Sequence, residues 1–359
     1  MRKRPVSDDV LRARLDALVA TFDISTIEPD PLQVVHRFSN PRDQEIAGLI
    51  AAAFAYGRAS IVVANAGTVL ARMKPSPHEY LVKFDRAEAM ARFAGFAHRF
   101  QKTRELVDLL ERMSFVIREY GSIGEAFRAR YDERDADIGP TLTRFVALVV
   151  SARPSPGASR HPLPREREIE SSSASPSPSP YGRGWPEGPG EGRASHTKRA
   201  KDVGEGREAA TKSLQYLLSS PENGSACKRM NLFLRWMVRR TSPDLGIWTF
   251  VDPSKLLMPV DTHIHRIATF LGLNTRKSAD WKAARQITDA LARFDPADPV
   301  RYDFALCRLG ILDLCSRRRR KENCDVCLLR DACRFPVVKS NRMDKPRGRA
   351  EGAQHRARL

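Results

Sequence analysis

Cysteine is absent from the first 226 residues of this 359-residue chain, so no disulfide framework can staple its N-terminal half. No run of eighteen apolar residues occurs, which excludes a membrane-spanning helix of ordinary length. The alternation of apolar and polar positions that marks half-buried strands is also missing. The chain opens on Arg2, Lys3 and Arg4, but Asp8, Asp9, Arg12, Arg14 and Asp16 follow where a secretory signal would place its apolar stretch. No export signal is expected, and the chain reads as cytoplasmic with no membrane partner. Acidic side chains are in deficit, 43 against 61 basic, for a formal charge of +18. That excess favours a polyanionic partner, nucleic acid before an anionic membrane surface, and leaves the fold undetermined.

What is present is helical. At 42% hydrophobic the chain can bury a proper core, as two domains or one large one. Asn40-Pro41-Arg42-Asp43 supplies an N-cap, a proline at the first helical position and an acid in the first turn. Ile46, Leu49, Ile50, Ala53 and Phe54 then recur at helical spacing and predict one buried face, with Gly57 as the terminator. Similar patterns predict helices over 61–73, 103–120, 138–150, 209–218, 228–239, 262–271, 279–294 and 301–314.

From Ala152 to about Ala200 the composition changes: nine prolines and nine serines fall among 49 residues. Too little apolar surface is available there to offset ordering entropy, so a disordered insertion is expected over 152–200. It separates an N-terminal helical region (1–151) from a hairpin-containing region (201–260) and a region with Asp261 and most cysteines (261–336). Residues 337–359 carry seven basic and two acidic side chains and read as a disordered tail. Such a tail adds salt-sensitive DNA affinity or serves only solubility.

Four of the six cysteines fall within nineteen residues, as Cys315-x8-Cys324-x2-Cys327-x5-Cys333. In a reducing compartment such a group reads as metal ligands rather than disulfides. Loops of two to eight residues let each thiolate turn toward one centre. Zinc and iron–sulfur both fit, although structural zinc sites more often show two C-x2-C pairs and only one is present. Cys307, inside a helical pattern, and Cys227, beside a turn, read as packing residues.

Two further segments each open onto a predicted helix. One is Gly224-Ser-Ala-Cys-Lys228-Arg-Met-Asn231; the other is Val260-Asp261-Thr262-His263-Ile264-His265-Arg266. Taken plainly, Asp261 caps its helix, Lys228 is a surface or phosphate-contacting lysine, and His263 and His265 sit on a helix face without a third metal ligand.

Gly224-x3-Lys228-x2-Asn231 resembles the second half of the helix-hairpin-helix of endonuclease III-type DNA glycosylases. Val260-Asp261-Thr262-His263 with Arg266 resembles their catalytic aspartate motif, and the cysteine loop is similar to their iron–sulfur loop, with eight residues rather than six in its first gap. Hairpin, aspartate and cysteines come in the family's order. The segments Asp244–Trp248 and Tyr302–Leu306 look like a bacterial branch of that superfamily without an assigned function. The interval from Lys228 to Asp261 is similar to that of archaeal 8-oxoguanine glycosylases, and Gly-x-Gly is replaced by Gly224-Ser225-Ala226. The resemblance implies an all-α, two-lobed protein with a DNA cleft, a monomer associated with the nucleoid. It implies a [4Fe–4S] cluster on Cys315, Cys324, Cys327 and Cys333, with zinc as the alternative. It further implies base excision with Asp261 and Lys228 as catalytic residues, and DNA contacts from Gly224, Ser225, Arg229 and, near the flipped base, Arg58. A non-catalytic DNA-binding or lesion-sensing protein, or a zinc-binding nucleic-acid protein, is the alternative.

Overall fold

The computed structural model describes residues 6–152, 211–316 and 320–335. The expected insertion lies almost wholly outside these residues, and the expected tail entirely so. The described chain is mostly helical, as the periodicities predict. It begins with α1 (Asp8–Thr21), α2 (Pro41–Ala53), α3 (Ala59–Arg72), α4 (Pro77–Val82) and α5 (Arg86–Arg92). A small hairpin of β1 (Ala97–His98) and β2 (Gln101–Lys102) leads into α6 (Thr103–Tyr120), α7 (Ile123–Arg128) and α8 (Gly139–Ser151). After the insertion come helical residues 211–217 (α9), α10 (Lys228–Val238), α11 (Thr262–Leu271) and α12 (Trp281–Ala292). The last are α13 (Asp303–Ile311) and α14 (Lys321–Asp325).

The cap signals before α2 act as expected: Asn40 Oδ1 accepts from the Arg42 amide at 2.9 Å, and Pro41 takes the first helical position. The predicted face is buried, but so are Ala47, Gly48, Ala51 and Ala52, because this helix is surrounded on all sides. Small residues permit that. A Cβ added at Gly48 would lie 2.9 Å from Met237 Cε and 3.3 Å from Phe233 Cε2, so α10 crosses α2 at this point. The helix stops at Ala53; Gly57, with φ of +96°, belongs to the following turn rather than to the helix end.

Even the buried charges on α2 have partners, as buried polar groups require. Asp43 accepts from the His78 amide at 2.8 Å, and Glu45 accepts from Trp248 Nε1 at 2.8 Å and the Gly124 amide at 3.0 Å. Burial raises the Glu45 carboxyl above its usual range, and these bonds oppose the shift.

A single apolar cluster runs from Leu11 to Ala332. α1 therefore packs against α13, with Tyr302 donating to Asp16 at 3.3 Å and Arg14 pairing with Asp331 at 2.5 Å. Beneath α10 and α13 lies a buried ionic group. Arg235 bonds Asp244 at 3.1 Å and also Asp303, and Arg239 bonds Asp244 and Asp298. Burial pushes the Asp303 carboxyl up to about 6, with Arg235 pulling the other way.

Candidate active site and cysteine loop

Helices α9 and α10 flank a turn that contains a short 3-10 segment, Pro221–Asn223. Its left-handed positions fall on Gly224 (φ +68°) and Cys227 (φ +48°), so Ala226 is spared the conformation that glycine would suit. The turn is pinned to the start of α12: Ser225 pairs with Asp280 in an isolated bridge, and the Trp281 amide donates to the Gly224 carbonyl at 3.2 Å. Gly224 is exposed and Ser225 half-buried. α10 begins at Lys228 without a side-chain cap on its first-turn amides.

Arg58 is exposed at the start of α3. Arg229 is placed differently: its guanidinium lies over the rings of Tyr216 (4.7 Å) and Tyr56 (5.3 Å) and donates to the Tyr216 carbonyl. Its Nη1 is buried with no protein partner.

Lys228 and Asp261 start separate helices. Lys228 is the first residue of α10, half-buried, and its Nζ donates to the Ala55 carbonyl at 3.0 Å. Asp261 is the N-cap of α11; its Oδ1 accepts from the amides of His263 (2.8 Å) and Ile264 (2.9 Å). The cap thus uses one carboxylate oxygen. Both charges act on the same two groups. The His263 imidazole is held below its usual range by burial first, with Asp261 opposing and Arg266 and Lys228 adding to the effect. The Cys307 thiol is pushed well up by burial, then by Asp261 and Asp303, against Lys228. Cys307 and His263, set aside from sequence as packing and helix-face residues, therefore lie within electrostatic reach of both the lysine and the aspartate. No local sequence signal distinguishes that place from an ordinary helical position.

The same helix carries the cysteine loop. His263 packs on Gly310 of α13, where an added Cβ would lie 2.5 Å from the His263 side chain. Arg266 donates to the Cys315 carbonyl at 2.6 Å, and the Cys315 amide donates to Leu309 at 2.8 Å. At the far end, the Arg334 amide donates to Phe270 at 2.7 Å, and Phe335 meets the Phe270 ring edge-on at 4.4 Å. The loop is thus fastened to the middle and the C-terminal end of α11. Cys315, Cys324, Cys327 and Cys333 are all half-buried free thiols. Burial raises Cys315 to about 11, and nearby Cys333 and Cys327 contribute to the shift. Cys327 is raised chiefly by burial and, to a lesser degree, by Cys333 and Cys324. Thiols are the donors that a thiophilic metal centre takes. As placed, no three His, Cys, Asp or Glu side chains among the described residues stand close enough to hold a metal ion.

On the α2 side of the site, His98 fixes one ring tautomer. Nε2–H donates to the Phe54 carbonyl at 3.0 Å, and Nδ1 accepts from Asn65 Nδ2 at 2.8 Å. Burial and then Arg99 lower its pKa, while the bond to Phe54 opposes them. A depressed histidine stabilises the fold above its unfolded pKa, and that stability is lost as pH falls through the folded value. Asn65→Asp would place a carboxylate at Nδ1 and raise the imidazole pKa. The fall in urea midpoint between about pH 7 and about pH 5 is expected to be smaller in this variant than in the wild type.

No curated protein and no solved structure matches this chain. One family model does, over residues 30–176 and 191–312. That span includes Lys228 and Asp261, is broken at 177–190 within the Pro/Ser/Gly-rich stretch, and stops short of Cys315. The chain belongs to the family described as "Protein of unknown function (DUF2400)".

Proposed function

We propose that this protein is a DNA base-excision glycosylase of the helix-hairpin-helix kind, with a lyase activity at Lys228. The observation that carries the reading is that Lys228 and Asp261 stand at the starts of two separate helices, both within electrostatic reach of His263 and Cys307. The α9–turn–α10 layout supports it, as does the charge of +18.

Breaking an N-glycosidic bond builds positive charge on the sugar, and a fixed carboxylate beside it stabilises that charge. Asp261 suits this role because its cap bonds orient the whole group while engaging only Oδ1. The Lys228 amine, once deprotonated, attacks C1′ as the C1′–N bond breaks. The base leaves with the bonding electron pair and takes up a proton. The nitrogen then gives up one proton, the C1′–O4′ bond breaks with O4′ taking up a proton, and the protonated Schiff base that remains can undergo strand-cleaving elimination. Lys228 must first release the Ala55 carbonyl. That bond favours the second reading, a DNA-binding protein that has lost catalysis. Release of free base from duplexes carrying a panel of oxidised, alkylated and deaminated bases supports the enzyme; binding without release from any of them supports the second reading.

Cys315, Cys324, Cys327 and Cys333 would hold a [4Fe–4S] cluster, which would fasten the loop on α11 and take no part in the base-release step. Protein purified without oxygen is expected to be brown, with about four irons and four sulfides per chain. A colourless protein with stoichiometric zinc would assign the thiols to a zinc site.

A further inference from the structure

The β1–β2 hairpin holds Phe100 at its tip, 73% exposed and the most exposed large apolar side chain among the described residues. Ala97 pairs with Lys102 and His98 with Gln101, so Arg99 and Phe100 form the turn. Arg99 adopts φ of +54°, an uncommon conformation outside glycine. The base of the hairpin is firmly held. His98 is buried with both ring nitrogens bonded, and Gln101 is buried and accepts from Ser213 of α9 at 3.1 Å. The Lys102 amide donates to Glu105 at 2.8 Å. A rigid base thus presents one aromatic ring to solvent.

The surroundings of that ring are cationic and adjoin the candidate active site. The Arg99 guanidinium lies 5.7 Å from the Phe100 ring centroid, and its Nη1 would lie 3.2 Å from a Cβ on Gly57. Arg58 follows Gly57, and Lys102 closes the hairpin, both exposed. Tyr56 donates to the His98 carbonyl at 3.2 Å, and Lys228 bonds the carbonyl of Ala55, the residue before Tyr56. The hairpin, Arg58 and Lys228 are therefore tied together through the consecutive residues 55–58. A lone apolar ring between cations matches a stacked base pair bordered by phosphates better than an apolar protein face, which would leave the charges without partners.

We propose that Phe100 is a wedge that enters the base stack of DNA bound at the Lys228–Asp261 site, with Arg99 and Arg58 on the flanking phosphates. The inference rests on the DNA-binding reading above. The test uses the full chain and a duplex with 2-aminopurine beside an abasic site, at several salt concentrations. The wild type is expected to bind and to raise 2-aminopurine fluorescence as the stack opens. Phe100→Ala should bind about tenfold more weakly and lose the fluorescence rise, with the salt slope unchanged because no phosphate contact is removed. Phe100→Trp should restore both signals. Retention of affinity and fluorescence by Phe100→Ala would overturn the wedge while leaving DNA binding intact. Failure of the wild type to bind any duplex at low salt would remove the DNA reading and the wedge together.

Discussion

Asp261→Asn is expected to lower base release about a hundredfold or more while leaving the melting temperature nearly unchanged. The two roles of this residue separate because asparagine caps helices about as well as aspartate. Its side-chain oxygen can still accept from the His263 and Ile264 amides, so α11 keeps its start. It lacks the negative charge that an electron-poor sugar requires. Asp261→Ala removes the cap as well and should cost about 1 kcal/mol of stability in addition. Single-turnover base release and a thermal melt of the three proteins measure this. Full activity in Asp261→Asn would reduce the residue to a cap.

Arg235→Leu is expected to have the largest effect on stability, a loss of about 3–5 kcal/mol read from the urea midpoint. Arg235 is 1% exposed and joins Asp244 to Asp303. Removing it leaves the buried Asp303 carboxyl without its cation, while Asp244 keeps Arg239. The carboxyl of Asp303 is already raised to about 6 by burial, and loss of the guanidinium raises it further. A raised carboxyl favours the folded state when protonated, so the deficit should shrink as pH falls and grow as pH rises. Replacing both partners, Arg235→Leu with Asp303→Leu, should recover part of the loss because no buried charge is then left uncompensated. Equal stability of Arg235→Leu and wild type would show that the pair is solvated rather than buried.

Helix boundaries were the most legible part of this sequence. The spans 103–120 and 262–271 coincide with α6 and α11, since the chemistry that ends them, Gly121 and the Asp261 cap, is local. The all-round burial of α2 was not legible, because its alanines and Gly48 suit a buried or an exposed surface equally until α10 is in place. The β1–β2 hairpin is too short to show a period, which hid Phe100. The same limit applies at the candidate site. The Asp261 cap was legible because a helix N-cap is written in consecutive residues. The bond from Lys228 to Ala55 joins positions 173 apart, and the capture of Arg229 by Tyr56 and Tyr216 likewise depends on tertiary packing. The cysteine spacing was legible, whereas its closure over α11 through Arg266 and Phe270 was not.

The most direct test of the Lys228–Asp261 site is borohydride trapping on duplex DNA carrying an abasic site. A Schiff base on Lys228 should give a covalent protein–DNA adduct whose peptide map places the link at residue 228, and Lys228→Gln should abolish it while still binding the duplex. An absence of adduct in the wild type, or an undiminished adduct in Lys228→Gln, would contradict the assignment of Lys228 as nucleophile.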